Sequence, residues 1–332
     1  MIGTEQFVDF DAQKTAEDLA GWIRQQITVV LKRRGAMVGI SGGIDSAVVA
    51  ALCVQALGAQ RVIGLALPER DSSPESLSLA QTLAARLEIQ FLIEDISAGL
   101  DGMGAYQRRD EAVKRVFPDY RQGDKFKIAL QSNPLQENSL NVFRLIMSDE
   151  SGKASSRRLK IDDYLQIVAA SNMKQRLRMT MLYYHAELRN YAVAGTGNKN
   201  EHDLGFFVKH GDGGSDLMPI GHLHKTQIYQ LAGVLPIPQE IAQRTPTTDT
   251  YPAEVSQEEF FFRLPFATMD AIWHAKERGV AADEIAKNLN LEKEQVQRVI
   301  DDIDQKQRTT EYLRLPPLKV DHESSPQHDQ QP

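Results

Sequence analysis

The sequence lacks the features that would mark an exported, membrane-bound or nucleic-acid-binding protein. Its 332 residues include one cysteine, Cys53, so an internal disulfide is impossible and a reducing compartment is indicated. It has no run of about 18 apolar residues and no signal-peptide pattern. Its net charge is −7, which argues against a general nucleic-acid surface. We therefore expect a cytoplasmic protein that binds neither membranes nor nucleic acid.

What the chain does contain is an alternation of short apolar runs and helical patterns. Such alternation predicts βαβ units and a parallel sheet. We predict an α/β fold with a doubly wound, five-stranded parallel sheet and a small C-terminal helical part. The five predicted strands are residues 36–40, 61–67, 89–93, 190–194 and 219–221.

Three regions follow from these patterns. Residues 1–255 form the predicted sheet domain, 256–318 a helical extension packed on it, and 319–332 a polar, disordered tail. Within the first region, residues 97–160 show little periodicity. This segment is an ordered insertion, a mobile lid or a solvated charged loop.

The chain is organised around residues 41–46, which read Ser-Gly-Gly-Ile-Asp-Ser between a predicted strand and a predicted helix. Backbone N–H groups at a helix N-terminus attract anions, and glycines let the backbone approach a phosphate closely. Ser41 and Ser46 can add hydroxyl donors. Asp45 would repel a phosphate unless Mg²⁺ lies between them. A tight turn followed by a simple helix cap is the alternative.

Further polar motifs follow the loop along the chain. Residues 172–179 place Lys174 and Arg178 on one helix face, which could equally be a solvated basic face. Residues 195–201, Gly-Thr-Gly-Asn-Lys-Asn-Glu, follow a strand end, where open α/β sheets bind ligands, although a plain polar turn is possible. Residues 209–216, Lys-His-Gly-Asp-Gly-Gly-Ser-Asp, predict a mobile loop.

The loop at 41–46 resembles the SGGxDS pyrophosphate loop of the N-type ATP pyrophosphatases, and the ordered set of motifs resembles the NAD synthetases. The resemblance covers residues 36–95 and 165–249. It implies ATP-dependent amidation of nicotinic acid adenine dinucleotide to NAD. An acyl adenylate would form and ammonia would attack it, so that AMP and pyrophosphate are released. No amidase-like domain is seen, which implies the ammonia-dependent form or one fed by a separate glutaminase. The family's habit also implies a homodimer.

The resemblance also implies roles for individual residues. Asp45 and Glu201 would hold Mg²⁺, and Asp45, Lys225 and Asp212 would be catalytic. Asp212 would position or deprotonate ammonia in a loop that excludes water. The expected ATP-binding residues are Gly39, Ser41, Gly42, Gly43, Asp45, Ser46, Leu67, Arg178, Thr196, Lys225 and Thr247. The expected residues for the dinucleotide are Asn172, Lys174, Arg176, Lys209 and Asp216, with Lys174 also a candidate phosphate cation.

The chain departs from the family pattern in two places, both on the acceptor side. The segment 97–160 is longer than expected, and Val168 stands where an aromatic residue often stacks on the pyridine ring. Another N-type ATP pyrophosphatase with a different carboxylate or carbonyl acceptor is therefore an alternative. A non-catalytic nucleotide-binding protein is a second, but it would need neither Asp45 nor Glu201. His222 and His224 have no cysteine or third histidine at supporting spacing, so the pattern does not favour a transition-metal site.

Overall fold

The computed structural model describes residues 10–121, 123–130, 135, 143–148, 154–247, 251–253 and 256–319. Within these ranges the strands are β1 (Ala36–Gly39), β2 (Val62–Ala66), β3 (Gln90–Ile93), β4 (Lys125–Leu130), β5 (Phe143–Ser148), β6 (Ala154–Arg158) and β7 (Ala192–Ala194). The helices of the first part are α1 (Ala12–Gln25), α2 (Ile44–Leu57), α3 (Pro74–Arg86), α4 (Ser97–Gly102), α5 (Ala105–Val116), α6 (Ile161–Arg189) and α7 (Lys199–Leu204). The remaining helices are α8 (Lys225–Val234), α9 (Gln239–Ala242), α10 (Phe266–Glu277), α11 (Ala282–Leu289), α12 (Lys293–Thr309) and α13 (Glu311–Arg314).

A parallel sheet in the order β3-β2-β1-β7 forms the centre of the fold. The predicted α/β class and parallel sheet are confirmed, but the predicted count of five strands is not, because this sheet has four strands among the described residues. Residues 219–221 lie in a turn in which Gly221 donates to the Met218 carbonyl. Near this turn, Leu217 forms a single parallel bridge to Ala194 at the edge of the sheet. Pro219 has no N–H to extend that pairing.

Helices pack on both faces of this sheet. Side chains alternate between the faces along each strand, so each strand can contribute to the core on either side. In β1, Ala36 and Val38 contribute to the core shared with α1, α2 and α8. Met37, between them, packs on the opposite face with Met179 and Leu182 of α6. Helix α2 is apolar over most of its surface and is buried almost throughout. The fold is therefore doubly wound, as predicted.

Segment 97–160 is ordered where the structure describes it. Helices α4 and α5 are followed by an antiparallel sheet in the order β4-β5-β6. This part has its own small core, in which Phe126, Ile128 and Leu145 are fully buried. The strands are short and α5 is strongly charged, which is why periodicity alone did not predict them. Of the three interpretations of this segment, the described residues agree with an ordered insertion.

A buried ionic network joins the insertion to the main sheet. Arg109 of α5 pairs with Asp71, which follows β2, and with Asp110 at 2.8 Å. Lys174 of α6 lies 2.9 Å from Glu69 and 2.8 Å from Asp71. The Tyr106 hydroxyl also donates to Glu69 at 2.8 Å. The loop after β2 is therefore held between α5 and α6 by charged hydrogen bonds.

The C-terminal helices form a separate core around Trp273, which is 1% exposed, and Val296. Helix α10 packs on α8, and α12 packs on α7. Trp22 of α1, by contrast, is 40% exposed. The predicted boundary at 255/256 adjoins residues 254–255, which lie outside the described residues, as does the predicted tail, 319–332, except for Lys319. Among the described helices, none is both long and apolar enough to span a bilayer.

Replacing Arg109 with methionine tests the network. The side chain is 2% exposed, so Arg109→Met leaves the buried Asp71 carboxylate with one fewer cationic partner. We expect the free energy of unfolding at pH 7 to fall by about 3 kcal/mol. Urea denaturation followed by circular dichroism measures this change. Arg108→Met, at the adjacent exposed position, is the matched control and should change stability by less than about 0.5 kcal/mol.

The difference in the free energy of unfolding between wild type and Arg109→Met should depend on pH. Burial would raise the pKa of Asp71, but the charges of Lys174 and Arg109 outweigh it and lower that pKa. The stabilisation is thus present above the unfolded-state pKa of about 3.9 and is lost as the pH falls through the folded value. The difference between wild type and Arg109→Met should therefore shrink between pH 7 and pH 3. A difference that stays constant or grows on acidification would contradict this account.

Candidate active site

The loop at residues 41–46 lies at the carboxyl end of β1 and leads directly into α2. Its two hydroxyls are bonded within the loop. The Ser46 hydroxyl donates to the Gly43 carbonyl at 2.9 Å and accepts from the Ser41 N–H at 3.3 Å. The Gly43 N–H donates to the Ser41 hydroxyl at 3.3 Å. These bonds form the loop before any ligand arrives, at a helix N-terminus suited to an anion.

The two glycines of the loop differ in their surroundings. Gly42 has a φ of 79°, and a Cβ atom there would overlap the backbone carbonyl of Ser76 in α3. Gly43 has a φ of −93°, and a Cβ atom there would meet only the Ser41 hydroxyl, at 3.4 Å. Gly42 is thus required by the backbone and by the close approach of α3, whereas Gly43 mainly leaves space beside the loop.

Asp45 is held between two elements distant in sequence. Its carboxylate accepts from the Asn198 amide at 2.9 Å and from the ammonium group of Lys225. Lys225 is the first residue of α8 and is completely buried. Its backbone N–H donates to Asn200 at 2.9 Å. Helices α2, α7 and α8 therefore meet with their N-termini at one point.

Glu201 joins this cluster through a capping box at the start of α7. The Asn198 side chain accepts from the Glu201 N–H at 3.1 Å, and the Glu201 carboxylate accepts from the Asn198 N–H at 3.2 Å. The other Glu201 oxygen accepts from Gln257 at 3.0 Å. Desolvation and the charge of Asp45 raise the pKa of Glu201 to about 8, while Lys225 acts in the opposite direction. Two acidic groups that repel each other in this way form a set of oxygen donors suited to Mg²⁺.

Asp212 faces the same cluster from the glycine-rich loop. Its carboxylate accepts from the Val208 N–H at 2.7 Å, and its charge interacts with those of Glu201 and Arg178. The surrounding protein raises the pKa of Asp212, although its side chain is exposed and water reduces such a rise. Asp212 is therefore a solvent-facing carboxylate at the edge of the acidic cluster.

The other predicted ATP-binding residues lie along the carboxyl edge of the sheet. Arg178 of α6 donates to the Leu67 carbonyl at 3.0 Å, just beyond β2. Gly39 ends β1 and lies against Leu182. Thr196 follows β7 and is half-buried. Thr247 is half-buried as well and bridges to Ser256. Their predicted contacts with ATP stay predictions.

The predicted dinucleotide-binding residues are less uniform. Asn172 is half-buried and Arg176 is exposed, both on α6. Lys174 is buried in the ionic network described above, so its ammonium group already has carboxylate partners. Lys209 donates to the carbonyls of Tyr312 and Leu315, at 2.9 and 3.0 Å. Asp216 accepts from the Val193 N–H at 2.8 Å and the Tyr183 hydroxyl at 3.1 Å. Lys174, Lys209 and Asp216 thus already bond to other groups of the protein.

Four residues of the cluster, Asn198, Asn200, Asp270 and Gln257, were not singled out from the sequence. Asn198 could have been, because Asn-x-x-Glu is a capping-box spacing. Asp270 of α10 accepts from Asn200 and, at 2.9 Å, from the Thr226 N–H. Gln257 contacts Glu201. Neither Asp270 nor Gln257 carries a sequence signal, since both reach the cluster only through the packing of the C-terminal part.

Comparisons with known proteins show which family the sequence matches. The family model NAD synthase matches residues 15–123 and 135–316. The NH(3)-dependent NAD(+) synthetase of Mesorhizobium japonicum is 49% identical over 308 residues, covering 93% of this chain and 96% of that protein.

Solved structures show a similar fold. The NH3-dependent NAD synthetase of Campylobacter jejuni, in complex with the nitrate ion, has a TM-score of 0.61 and 23% identity, and the match covers 94% of this chain and 100% of that one. The NMN synthetase of Francisella tularensis has a TM-score of 0.60 and 22% identity, with 94% and 99% covered. At these identities the two structures support the fold alone.

Substitution of the two loop glycines compares the stability cost at a strained backbone position with that at an unstrained one. Gly42→Ala places a side chain at positive φ against a backbone carbonyl and should lower the free energy of unfolding by about 3 kcal/mol. Gly43→Ala is the matched control and should fold with near wild-type stability. Denaturant titration of both variants measures the difference. Equal stability of the two variants would refute the assignment of Gly42 as the strained position.

Proposed function

Because the chain belongs to the NAD synthase family, we propose that it catalyses the ATP-dependent amidation of nicotinic acid adenine dinucleotide to NAD. The carboxylate of the dinucleotide attacks the α-phosphate of ATP, which gives an acyl adenylate and releases pyrophosphate. Ammonia then attacks the acyl carbon, the bond to AMP breaks, and the amide forms. The nearly full-length match to an NH(3)-dependent relative supports ammonia as the nitrogen donor.

The observation that carries this proposal is the meeting of Asp45, Glu201 and Lys225 at the loop at residues 41–46. A phosphate-binding loop needs neither of these carboxylates, whereas an ATP pyrophosphatase needs them to hold a divalent ion. Both offer oxygen ligands, and burial, together with the nearby charge of Asp45, raises the pKa of Glu201. They would hold Mg²⁺, which would neutralise charge on the polyphosphate when bound. A non-catalytic nucleotide-binding protein gives no reason for this arrangement.

In the first chemical step, the chain's own groups bind and orient the leaving pyrophosphate. The Gly43 N–H and the hydroxyls of Ser41 and Ser46 are bonded within the free loop, and they would turn to the pyrophosphate as donors at the N-terminus of α2. The buried ammonium group of Lys225 keeps a positive charge there, because Asp45 and Glu201 raise its pKa against the effect of burial. This fixed charge stabilises negative charge as it develops on the pyrophosphate.

In the second step, Asp212 receives a proton from ammonium. Ammonium predominates at pH 7, and a carboxylate of raised pKa that faces solvent is a suitable acceptor for its proton. The freed ammonia is then held at the edge of the cluster for attack on the acyl carbon. The short loop that carries Asp212 would exclude water, which would otherwise hydrolyse the adenylate.

The remaining parts of the proposal concern the acceptor and the assembly. Asn172 and Arg176 are the candidates for direct contact with the dinucleotide, while Lys174, Lys209 and Asp216 would act by positioning the segments to which they are bonded. A homodimer, a separate glutaminase as ammonia source and a cytoplasmic location stay proposals supported by the family resemblance. A different carboxylate acceptor is the alternative, favoured by Val168 and by the ordered insertion.

Pyrophosphate release tests the function directly. The purified protein is incubated with ATP and Mg²⁺, with and without ammonium. The acceptors are nicotinic acid adenine dinucleotide, nicotinic acid mononucleotide or none. We expect dinucleotide-dependent release of pyrophosphate, and formation of NAD only when ammonium is present. Lys225→Met should reduce the rate about 100-fold or more.

Release with the mononucleotide but not the dinucleotide would establish the alternative acceptor. No release with either acceptor, in a protein that still binds ATP, would overturn the proposal.

The role of Asp212 can be separated from adenylation. Asp212→Asn should lower the rate of NAD formation by about 100-fold, because the base is lost, yet leave pyrophosphate release during adenylation close to wild type. Single-turnover measurements of both products distinguish the two steps. Asp101→Asn, at an exposed carboxylate of α4, is the control. An equal fall in both steps would show that Asp212 does not act on ammonia specifically.

A further inference from the structure

A second group of potential metal ligands lies where α8 packs against the C-terminal helices, next to the cluster of Asp45, Glu201 and Lys225. His224 immediately precedes α8 and is 2% exposed. His274 and Glu277 lie one helical turn apart on α10 and face it. One ligand atom from each of the three side chains lies within 4.8 Å of the other two. Residues three apart on a helix share a face, which makes His-x-x-Glu a spacing that can direct both side chains to one ion.

The imidazole nitrogens of this group are buried without hydrogen-bond partners among the described residues. This holds for both Nδ1 and Nε2 of His224 and for Nε2 of His274. Buried polar atoms in proteins are nearly always bonded, and leaving one unbonded costs about 1–3 kcal/mol. Three such atoms in one place need an explanation, and an ion bound by one nitrogen of each ring would supply it for two of them.

We propose that His224, His274 and Glu277 bind a transition-metal ion, with Zn²⁺ the best fit, at a site distinct from the Mg²⁺ ligands Asp45 and Glu201. Two imidazoles and one carboxylate are ligands that Zn²⁺ accepts, and water can complete a tetrahedral set. Ligand atoms around Zn²⁺ lie about 3.4 Å apart, given bonds of roughly 2.1 Å. The present separations of up to 4.8 Å would have to shorten on binding, through rotation of the three side chains.

The surroundings of His224 assign a role to each ring nitrogen. Nε2 faces a Glu277 oxygen at 4.0 Å, which places it toward the ion. Nδ1 faces Asp270 at 3.7 Å. A metal-bound histidine commonly donates its other N–H to a carboxylate, which fixes the ring's orientation and tautomer. Asp270 is the group that would accept from Nδ1 here.

Charge and protonation around the site are compatible with a divalent cation. The second Glu277 oxygen lies 3.0 Å from the Lys199 ammonium, which also pairs with Asp203 at 3.2 Å. The three acidic residues Asp203, Asp270 and Glu277 outnumber the two cationic residues Lys199 and Arg278. An imidazole of ordinary pKa, about 6.5, is mostly neutral at pH 7 and is then able to ligate a metal ion.

The site would join the synthetase centre to the C-terminal helices. His224 directly precedes Lys225, and Asp270 also accepts from the Thr226 N–H. An ion on α10 would therefore fix the start of α8, which carries the active-site lysine. His222, which the sequence paired with His224, is exposed and is not one of these ligands. The partners of His224 come instead from α10, fifty residues further along the chain.

Cobalt and zinc binding test the proposal without reference to catalysis. The whole protein is stripped with a chelator and titrated with Co²⁺ in excess Mg²⁺, which occupies the oxygen-ligand site. We expect one equivalent to bind with the visible absorption bands of tetrahedral Co²⁺, and Zn²⁺ to displace it. Zn²⁺ should also raise the melting temperature of the stripped protein.

Variants of the proposed ligands, compared with a control variant, test whether the ion binds at this site. His274→Ala and the more conservative Glu277→Gln should each lower the affinity for Co²⁺ at least tenfold, while the control His222→Ala should leave it unchanged. Melting of the metal-free variants shows whether each is folded. Absence of stoichiometric binding by wild type, or loss of binding in His222→Ala but not in Glu277→Gln, would overturn the proposal. Because no substrate is used, the outcome is independent of the proposed reaction.

Discussion

The buried pair of Lys225 and Asp45 is the interaction on which the arrangement of this protein depends. A lysine with no exposed surface is stable as a cation only beside a carboxylate, and the two residues are 180 positions apart in the sequence. Their pairing joins the N-terminus of α2 to that of α8. Asn198 then adds the N-terminus of α7 to the same point. Three helix termini that attract anions are thus brought to one edge of the sheet.

This concentration of positive helix ends explains why acidic residues can gather there. Asp45 and Glu201 would repel each other strongly in isolation, and the raised pKa of Glu201 shows that some repulsion remains. The helix ends and Lys225 offset most of it. A divalent cation, such as the one that ATP carries, would favour the ionised form of Glu201 and so be held by both carboxylates. The electrostatics of the free site and the chemistry that we propose for it are therefore consistent.

The insertion and the C-terminal helices contact this centre from different directions. Arg109 fixes the loop after β2, beside Arg178 and the predicted ATP pocket, through Asp71. On another side, Asp270 of α10 fixes the start of α8 by accepting from the Thr226 N–H. The insertion and the C-terminal helices carry no recognisable motif, yet they determine how rigidly the residues of the site motifs are held. The proposed metal ion would reinforce the second of these supports.

The sequence by itself determined the local elements and the chemistry of the main site. Apolar runs, helical patterns and the loop at 41–46 depend on neighbouring residues, so β1, α2 and the roles expected of Asp45 could be read from the chain. Tertiary structure alone decided which distant groups meet. Lys174 was expected near phosphate but is bonded to acidic residues, and His224 faces α10 rather than His222. Such pairings depend on packing between elements far apart in the chain, which no short-range pattern encodes.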